Sequence, residues 1–526
     1  MENYWRRVES CNYRPGWRRL RRLGLNSTGH GWRGWTFSER GYRQLFRDMQ
    51  LVDVILSAAK GLGYRPSDAI NLLGLPPFVA TVVRRGGKFA KTLLKTFVPV
   101  ASAIFDYSDP VTEFISERGW LKRFWWLLDD PLDPNDRRLT DDPSHIGYVP
   151  LSTRSHRRFG TRERLLDMAC RRPDRLHVQL NALATRVILD KDNRAIGIEY
   201  LQRERSNVDD PIGKDERQDP QQVLAARGVI LACGAFNTPQ LLMLSGIGPK
   251  VVLERVQICP RIDLPGVGRN LRDHYEINVI QRMKANWLSR KGSRYEKGDE
   301  QYQHWKRGSD GSYAFTGAVL ALARKSDSSN IAPDMLITAL LYPFKGYYRG
   351  YSRVAAEIGD VLTWSIMKSM SNGDGVVTLR SADPCDAPVV DFNYFVGDSR
   401  NDLRSLVDGI RFVRELTAKL TQKRLIIEEE APGKDFIADE ELIQFARDTA
   451  SGRNAAGSCG IGPVAAGGVL DSDFRVHGTK GLYVVDASAL PRLPCCHIAS
   501  TIYMAAEKAA DGILREATGS KAVLKF

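Results

Sequence analysis

Two stretches of this sequence combine small residues with helix starts, the arrangement that lets backbone amides hold an anion. In Gly228–Gly248 (GVILACGAFNTPQLLMLSGIG) an apolar run ends in Cys233, Gly234 and Ala235. A helical pattern follows, with Thr238 placed as its N-cap, Pro239 in its first turn and Gly246 at its end. Backbone at such a turn can approach a ligand closely. The unpaired N–H groups of the helix start favour an anionic group such as a pyrophosphate. An ordinary strand–helix unit has the same pattern, so both readings stand. The second stretch is Gly481–Leu514 (GLYVVDASALPRLPCCHIASTIYMAAEKAADGIL). Leu482–Val485 reads as a strand that delivers Asp486 and Ala487 to a turn. Ser500 or Thr501 then caps a long helix, whose positive end suits developing negative charge. His497 lies just before that helix. A lone histidine is often a hydrogen-bonded structural residue, so its position alone assigns no role.

The elements around these stretches follow from period. Gly160–Cys170 reads as a helix with Thr161 as N-cap and Glu163 in its first turn. His177–Asp190 and Ala195–Tyr200 alternate as strands. Arg227–Cys233 is a continuous apolar run, the pattern of a strand covered on both faces. Ser206–Gln222 is a charged loop. Asp334–Tyr342 and Gly375–Arg380 are strand-like, Asp402–Leu420 is helical, and residues 61–145 read mostly as helix. The expected division is 1–140, a largely helical N-terminal region; 141–274; a middle domain, 275–450; and 451–526. The second and fourth pieces flank the middle one.

Bulk properties narrow the class. With 526 residues and 43% of them hydrophobic, the chain can bury more than one core. A charged fraction of 26% is ordinary for a globular protein. The net charge is +14 and the pI about 9.4. Arg6, Arg7, Arg14, Arg18, Arg19, Arg21 and Arg22 concentrate the charge at the start. Such a run reads first as a solvated face, and as a face for anionic surfaces second. The eight cysteines form no C-x-x-C pair, so no metal site is expected, and a reducing, cytoplasmic setting follows. No uncharged apolar stretch reaches the roughly 18 residues of a membrane span. Lys88–Phe105 could lie on a membrane as an amphipathic helix, but a helix packed on the protein's own core fits the pattern better.

Gly228–Gly248 is similar to a signature motif of the glucose–methanol–choline (GMC) family of FAD-dependent oxidoreductases. Leu264–Asp273 (LPGVGRNLRD) follows at the family's usual distance, and so does Gly481–Leu514. Gly375–Phe395 (GVVTLRSADPCDAPVVDFNYF) resembles the family's substrate domain. The resemblance is close from about residue 140 onward and weak before it. It implies an α/β fold, with an FAD-binding domain assembled from discontinuous segments and an α+β substrate domain built on an antiparallel sheet. It implies FAD contacts at Gly234, Ala235, Asn237, Thr238, Asp486, Ala487, Ile498 and Ala499. It also implies a catalytic pair at Asn454 and His497, acting on a CH–OH donor by hydride transfer to FAD. The family carries histidine or asparagine at the position of His497.

Two departures bear on that expectation. The family's other catalytic position is a histidine three residues before a Gly-Thr-Cys-like triplet. Here the triplet is Gly457, Ser458, Cys459, and the matching residue is Asn454, which cannot act as a base. The family also opens with a strand–GxGxxG–helix unit. The literal match Gly29–Gly34 (GHGWRG) follows a basic segment rather than an apolar strand, and Trp32 would crowd a phosphate, so it is not expected to bind one. The sequence therefore reads as beginning inside the family's first domain, without the leading βαβ unit of about 30 residues, which implies weak hold on FAD. The expected partner is a small, apolar alcohol rather than nucleic acid, with Met335, Leu336, Leu340, Leu341 and Phe344 as candidate lining. Peripheral membrane contact stays open. The alternative is a repurposed relative that keeps the pocket without redox activity.

Overall fold

The computed structural model describes residues 1–12, 30–39, 48–62, 145–147, 149–202, 219–308, 312–314, 317–327, 329–330, 332–369, 375–396 and 400–518. The strands that position the site are β1 (Glu9–Cys11), β2 (Thr36–Ser38), β3 (His145–Gly147), β4 (Ala182–Leu189), β5 (Ala195–Gln202), β6 (Gln221–Leu224), β7 (Val229–Leu231), β8 (His274–Met283), β9 (Ala318–Arg324), β10 (Met335–Leu340), β11 (Val361–Ser369), β12 (Ile426–Ala431) and β13 (Leu482–Val484). The helices are α1 (Glu2–Val8), α2 (Met49–Gly61), α3 (Thr161–Arg171), α4 (Gly234–Leu244), α5 (Arg400–Gln422), α6 (Asp439–Thr449) and α7 (Ala499–Thr518).

One core lies against a six-stranded sheet in the order β12-β8-β11-β10-β9-β3, antiparallel throughout. Alternation along each strand sorts the residues onto two faces. Tyr275, Ile277 and Val279 of β8, Met335, Ile337 and Ala339 of β10, and Leu362, Trp364 and Ile366 of β11 belong to the apolar core. Helix α5 lays Leu403, Leu406, Val407, Ile410, Val413 and Leu420 into that core, the spacing of one helical stripe. Helix α2 adds Leu51, Val52, Val54, Ile55 and Ala58. Its start is held by Asp48, whose carboxylate accepts from Leu51 N and, across the fold, from Leu288 N at 2.6 Å.

The second core is built from α4, β13, α7 and the β4-β5-β6 sheet. β7 pairs in parallel with β13, Val229 opposite Leu482. The expectation that this apolar run is covered on both faces needs correction, because Val229 and Leu231 are buried while Ile230 is 53% exposed. Its pattern is that of a strand with one face packed. In α3 the helix starts after Gly160, not after Thr161, and Glu163 reaches back to accept from Gly160 N at 2.8 Å.

Near the N-terminus, α1 and the Trp32–Ser38 stretch dock on α7. Arg7 pairs with Asp511 at 2.8 Å, and Trp35 Nε1 donates to Glu507 at 3.0 Å. Arg7 is thus spent on an internal ion pair rather than on a basic face. Arg14, Arg18, Arg19, Arg21 and Arg22, with Lys88–Phe105, lie outside the described residues.

The GxGxxG match leads into strand β2, not into a helix. A Cβ at Gly31 would stand 2.4 Å from Arg6 O, and one at Gly34 would stand 2.1 Å from Val8 O. These glycines let two segments of backbone touch. Beside them Glu9, Cys11 and His30 bring metal-ligating atoms within 4.8 Å of one another, all buried. The Glu9 carboxylate is already met by His30 Nδ1 at 2.9 Å, Gly31 N at 3.0 Å and Ser38 Oγ at 2.8 Å. That set ties β1 to the segment that carries His30, Gly31 and β2. Among the described residues no helix is long and apolar enough to cross a membrane.

Candidate active site

Pairing of β7 with β13 sends two turns out of one sheet edge. The buried Asp486 carboxylate bridges them. It accepts from Gly234 N at 3.0 Å, Thr238 Oγ1 at 2.6 Å, Ser488 N at 2.7 Å and Ser488 Oγ at 2.6 Å. Thr238 is therefore not the N-cap its type suggests. Helix α4 begins at Gly234, and the Thr238 hydroxyl accepts from Cys233 N at 3.1 Å while donating to Asp486. Pro239 has no N–H for the carbonyl of Ala235 one turn back. That carbonyl accepts instead from Ser458 Oγ, which ties the Gly-Ser-Cys triplet to α4. Helix α7 likewise starts earlier than its polar residues suggest. The Ile498 carbonyl accepts the first helical bond, from Ile502 N at 2.9 Å, so Ser500 and Thr501 lie inside the first turn.

The face of the six-stranded sheet opposite the core forms the wall of the site. The pair Glu276↔Met367 puts those side chains on that face together, and Leu336 sits opposite Met367 on the other side. Asn454 donates through Nδ2 to Met367 Sδ at 3.5 Å. Glu276 accepts from Ser365 Oγ and pairs with Arg453 Nε at 2.9 Å. Arg453 also donates to Tyr347 Oη at 3.1 Å and lies over the rings of Phe344 and Tyr347. Of the five expected lining residues, Met335 and Leu341 belong to the core, because alternation turns them to the helix side. Leu336 and Leu340 share the site face, and Phe344 touches Arg453.

Two adjacent residues at the start of β8 hold the pair segments. Asp273 Oδ1 accepts from Asn454 N at 2.7 Å and Arg453 N at 3.1 Å. His274 Nε2 contacts the Pro494 carbonyl at 2.8 Å, on the loop that ends in His497. Burial raises the Asp273 and Glu276 carboxyls and lowers His274. His497 keeps contact with solvent, yet the protein packed round it, and then the charges of Arg453 and His274, push its pKa down to about 4. Its imidazole is neutral at pH 7. Asp273 closes a motif quoted from the sequence, but His274, Glu276 and the role of Arg453 were missed. Their partners lie far away in sequence, 181 residues in the case of Asp273 and Asn454.

Two cores, a parallel strand pair opening on turns that Asp486 bridges, and an antiparallel wall with Asn454 against Met367 make up the frame. The chain belongs to the GMC oxidoreductase family: residues 131–276 and 371–506 match its N- and C-terminal domains. It is 32% identical to an oxygen-dependent choline dehydrogenase of Pseudomonas putida, over 70% of this chain and 62% of that protein. It is 29% identical to a chloroplastic fatty acid photodecarboxylase of Chlamydomonas reinhardtii, over 74% of this chain and 65% of that one. The chain thus spans less than two thirds of the length of these relatives. In fold it resembles a formate oxidase of Aspergillus oryzae, with a TM-score of 0.67 and 20% identity over 98% of this chain and 78% of that one.

FAD is the family's cofactor, and the paired turns fit a part of it. Gly234 has φ +83°, and a Cβ built there meets nothing within 4 Å, so the turn is open on that side. Asn237 and Ala499 are exposed, whereas Ala235, Thr238, Asp486, Ala487 and Ile498 are buried in the protein's own packing. Gly234→Ala is expected to cost about 1–2 kcal/mol in urea unfolding, from the left-handed backbone alone, and to weaken FAD retention as well. An unchanged midpoint together with unchanged retention would remove Gly234 from the site.

Proposed function

We propose that this protein is a flavin-dependent oxidoreductase that takes hydride from the carbinol carbon of a small, apolar alcohol. In this reading Gly234, Asn237 and Ala499 offer contact surface to FAD, and Asp486 and Thr238 brace the turns behind them. FAD, when bound, supplies the hydride acceptor. His497 accepts the hydroxyl proton, and Asn454 orients the hydroxyl by hydrogen bonding. Arg453, held by Glu276, favours the oxygen as negative charge grows on it. Leu336, Leu340 and Phe344 supply apolar wall. Choline, named for one relative, is a small alcohol, although a charged one. The observation that carries the reading is the anchoring of both pair segments by consecutive residues, Asp273 on Asn454 and His274 on the loop before His497.

A base whose pKa is about 4 gives turnover an acid limb near that pH, because protonation removes the lone pair that accepts the proton. The limb is expected near pH 4 in the native protein and higher in Arg453→Gln, which loses one of the charges that push His497 down. A limb that stays put in the variant would detach Arg453 from the site. The direct test is turnover of primary alcohols with added FAD and a dye acceptor. A slower rate with alcohol deuterated at the carbinol carbon supports hydride transfer, and no turnover of any alcohol defeats it. The second reading, chemistry without alcohol oxidation, is favoured by Asn454 standing where the family carries its other imidazole. The fatty acid photodecarboxylase among the relatives carries a name outside alcohol oxidation.

A further inference from the structure

Cys495 and Cys496 are neighbours in sequence, on the loop that leads to His497 and α7. Both thiols are free. Cys496 is exposed while Cys495 is half-buried. The loop is fixed just before them, where the Pro494 carbonyl is met by His274 Nε2 at 2.8 Å and Ser369 Oγ at 3.4 Å. Two neighbouring thiols on an anchored loop, one of them open to solvent, make a site for chemistry that neither FAD nor the alcohol requires.

We propose that Cys495 and Cys496 are a site of reversible oxidation by hydroperoxides, closing to a vicinal disulfide beside His497. The two thiols divide the work. Cys496 is the thiol open to solvent, and its neighbour Cys495 draws it below its ordinary pKa, while the same neighbour together with burial pushes Cys495 up. Cys496 is therefore the attacking group. Its thiolate displaces hydroxide from hydrogen peroxide and becomes a sulfenic acid. The Cys495 sulfur then attacks the Cys496 sulfur, an S–S bond forms, and the sulfenic oxygen leaves as water. Two thiols and one peroxide give one disulfide and two waters, a two-electron balance. Adjacent Cα atoms are about 3.8 Å apart, below the roughly 4.4–6.8 Å of ordinary disulfides. A bridge under that constraint is readily reduced, which suits a switch better than a structural bond. Closing it moves the Cys496–His497 peptide, and so the imidazole.

The test uses the full chain, treated with hydrogen peroxide, alkylated under native conditions and digested with trypsin. The peptide Leu493–Lys508 contains no other cysteine. The expected product is that peptide without alkyl groups, lighter by about 2 Da than its reduced, unalkylated form, apart from oxygen gained at Met504. It should return to the doubly alkylated form after dithiothreitol. In Cys495→Ser the bridge should vanish and Cys496 should proceed to sulfinic acid. Two alkylated thiols after peroxide, a sulfinic Cys496 with Cys495 still free in the native chain, or a link to another cysteine would each overturn the proposal. All of these are read without any turnover assay, so failure here is separate from failure of the proposed alcohol chemistry.

Discussion

Replacing His497 with alanine is expected to lower alcohol turnover by about a hundred- to ten-thousand-fold, the usual loss on removing a general base. The reason lies in what else stands at the site. Asn454 has no titrating group, and its side-chain amide donates to Met367 Sδ at 3.5 Å. His274 is buried, lowered in pKa by that burial, and engaged with the Pro494 carbonyl. Glu276 is tied to Arg453. His497 alone is both neutral at pH 7 and in contact with solvent. Asn454→Ala removes one neutral hydrogen bond, so its expected cost is about tenfold or less. Asn454→His should raise turnover by restoring a second imidazole. Turnover in the three variants, measured with FAD saturating, decides the roles. A ranking with Asn454→Ala more damaging than His497→Ala would reverse them.

The second large effect is expected at Asp486. Its carboxylate takes four hydrogen bonds from three residues and joins α4 to the turn after β13. Asp486→Ala leaves Gly234 N, Thr238 Oγ1 and the Ser488 donors without that acceptor inside the fold. Losing the acceptor of a buried network typically costs about 3–5 kcal/mol. Unfolding in urea, followed by tryptophan fluorescence, should show a loss of that size, with FAD retention lost in parallel. Asp486→Asn keeps the shape and one acceptor but turns an NH2 toward donors, so an intermediate loss is expected. If Asp486→Ala unfolds like the native chain, Asp486 does not brace the two turns.

Much of this arrangement was legible because it is local. The run into Cys233, Gly234 and Ala235 and the segment at Leu482–Val485 have strand character, and their pairing follows from the family likeness. Helix starts were less legible. Thr238, Ser500 and Thr501 are good capping residues by type, yet α4 starts at Gly234 and α7 at Ala499. Thr238 is drawn to Asp486, and no local signal announces a partner 248 residues away. Alternation in β10 is visible in the sequence, but which face meets α5 is not. Sequence alone therefore groups Met335 and Leu341 with Leu336 and Leu340. The same limit hid His274, Glu276 and Arg453, whose roles exist only once β8 and β11 are paired and the 451–456 segment lies against them. Most of 61–145, read from the sequence as helix, falls outside the described residues.

The central claim is that hydride leaves a CH–OH carbon at this site while His497 holds the proton. The most direct measurement loads the chain with FAD and mixes it anaerobically with a panel of small primary alcohols. The expected result is bleaching of the visible flavin band, with one carbonyl product formed per flavin reduced. In His497→Ala the bleaching should slow by about a hundred- to ten-thousand-fold. Bound flavin that stays fully oxidised with every alcohol, or that bleaches as fast in His497→Ala as in the native chain, would contradict the claim.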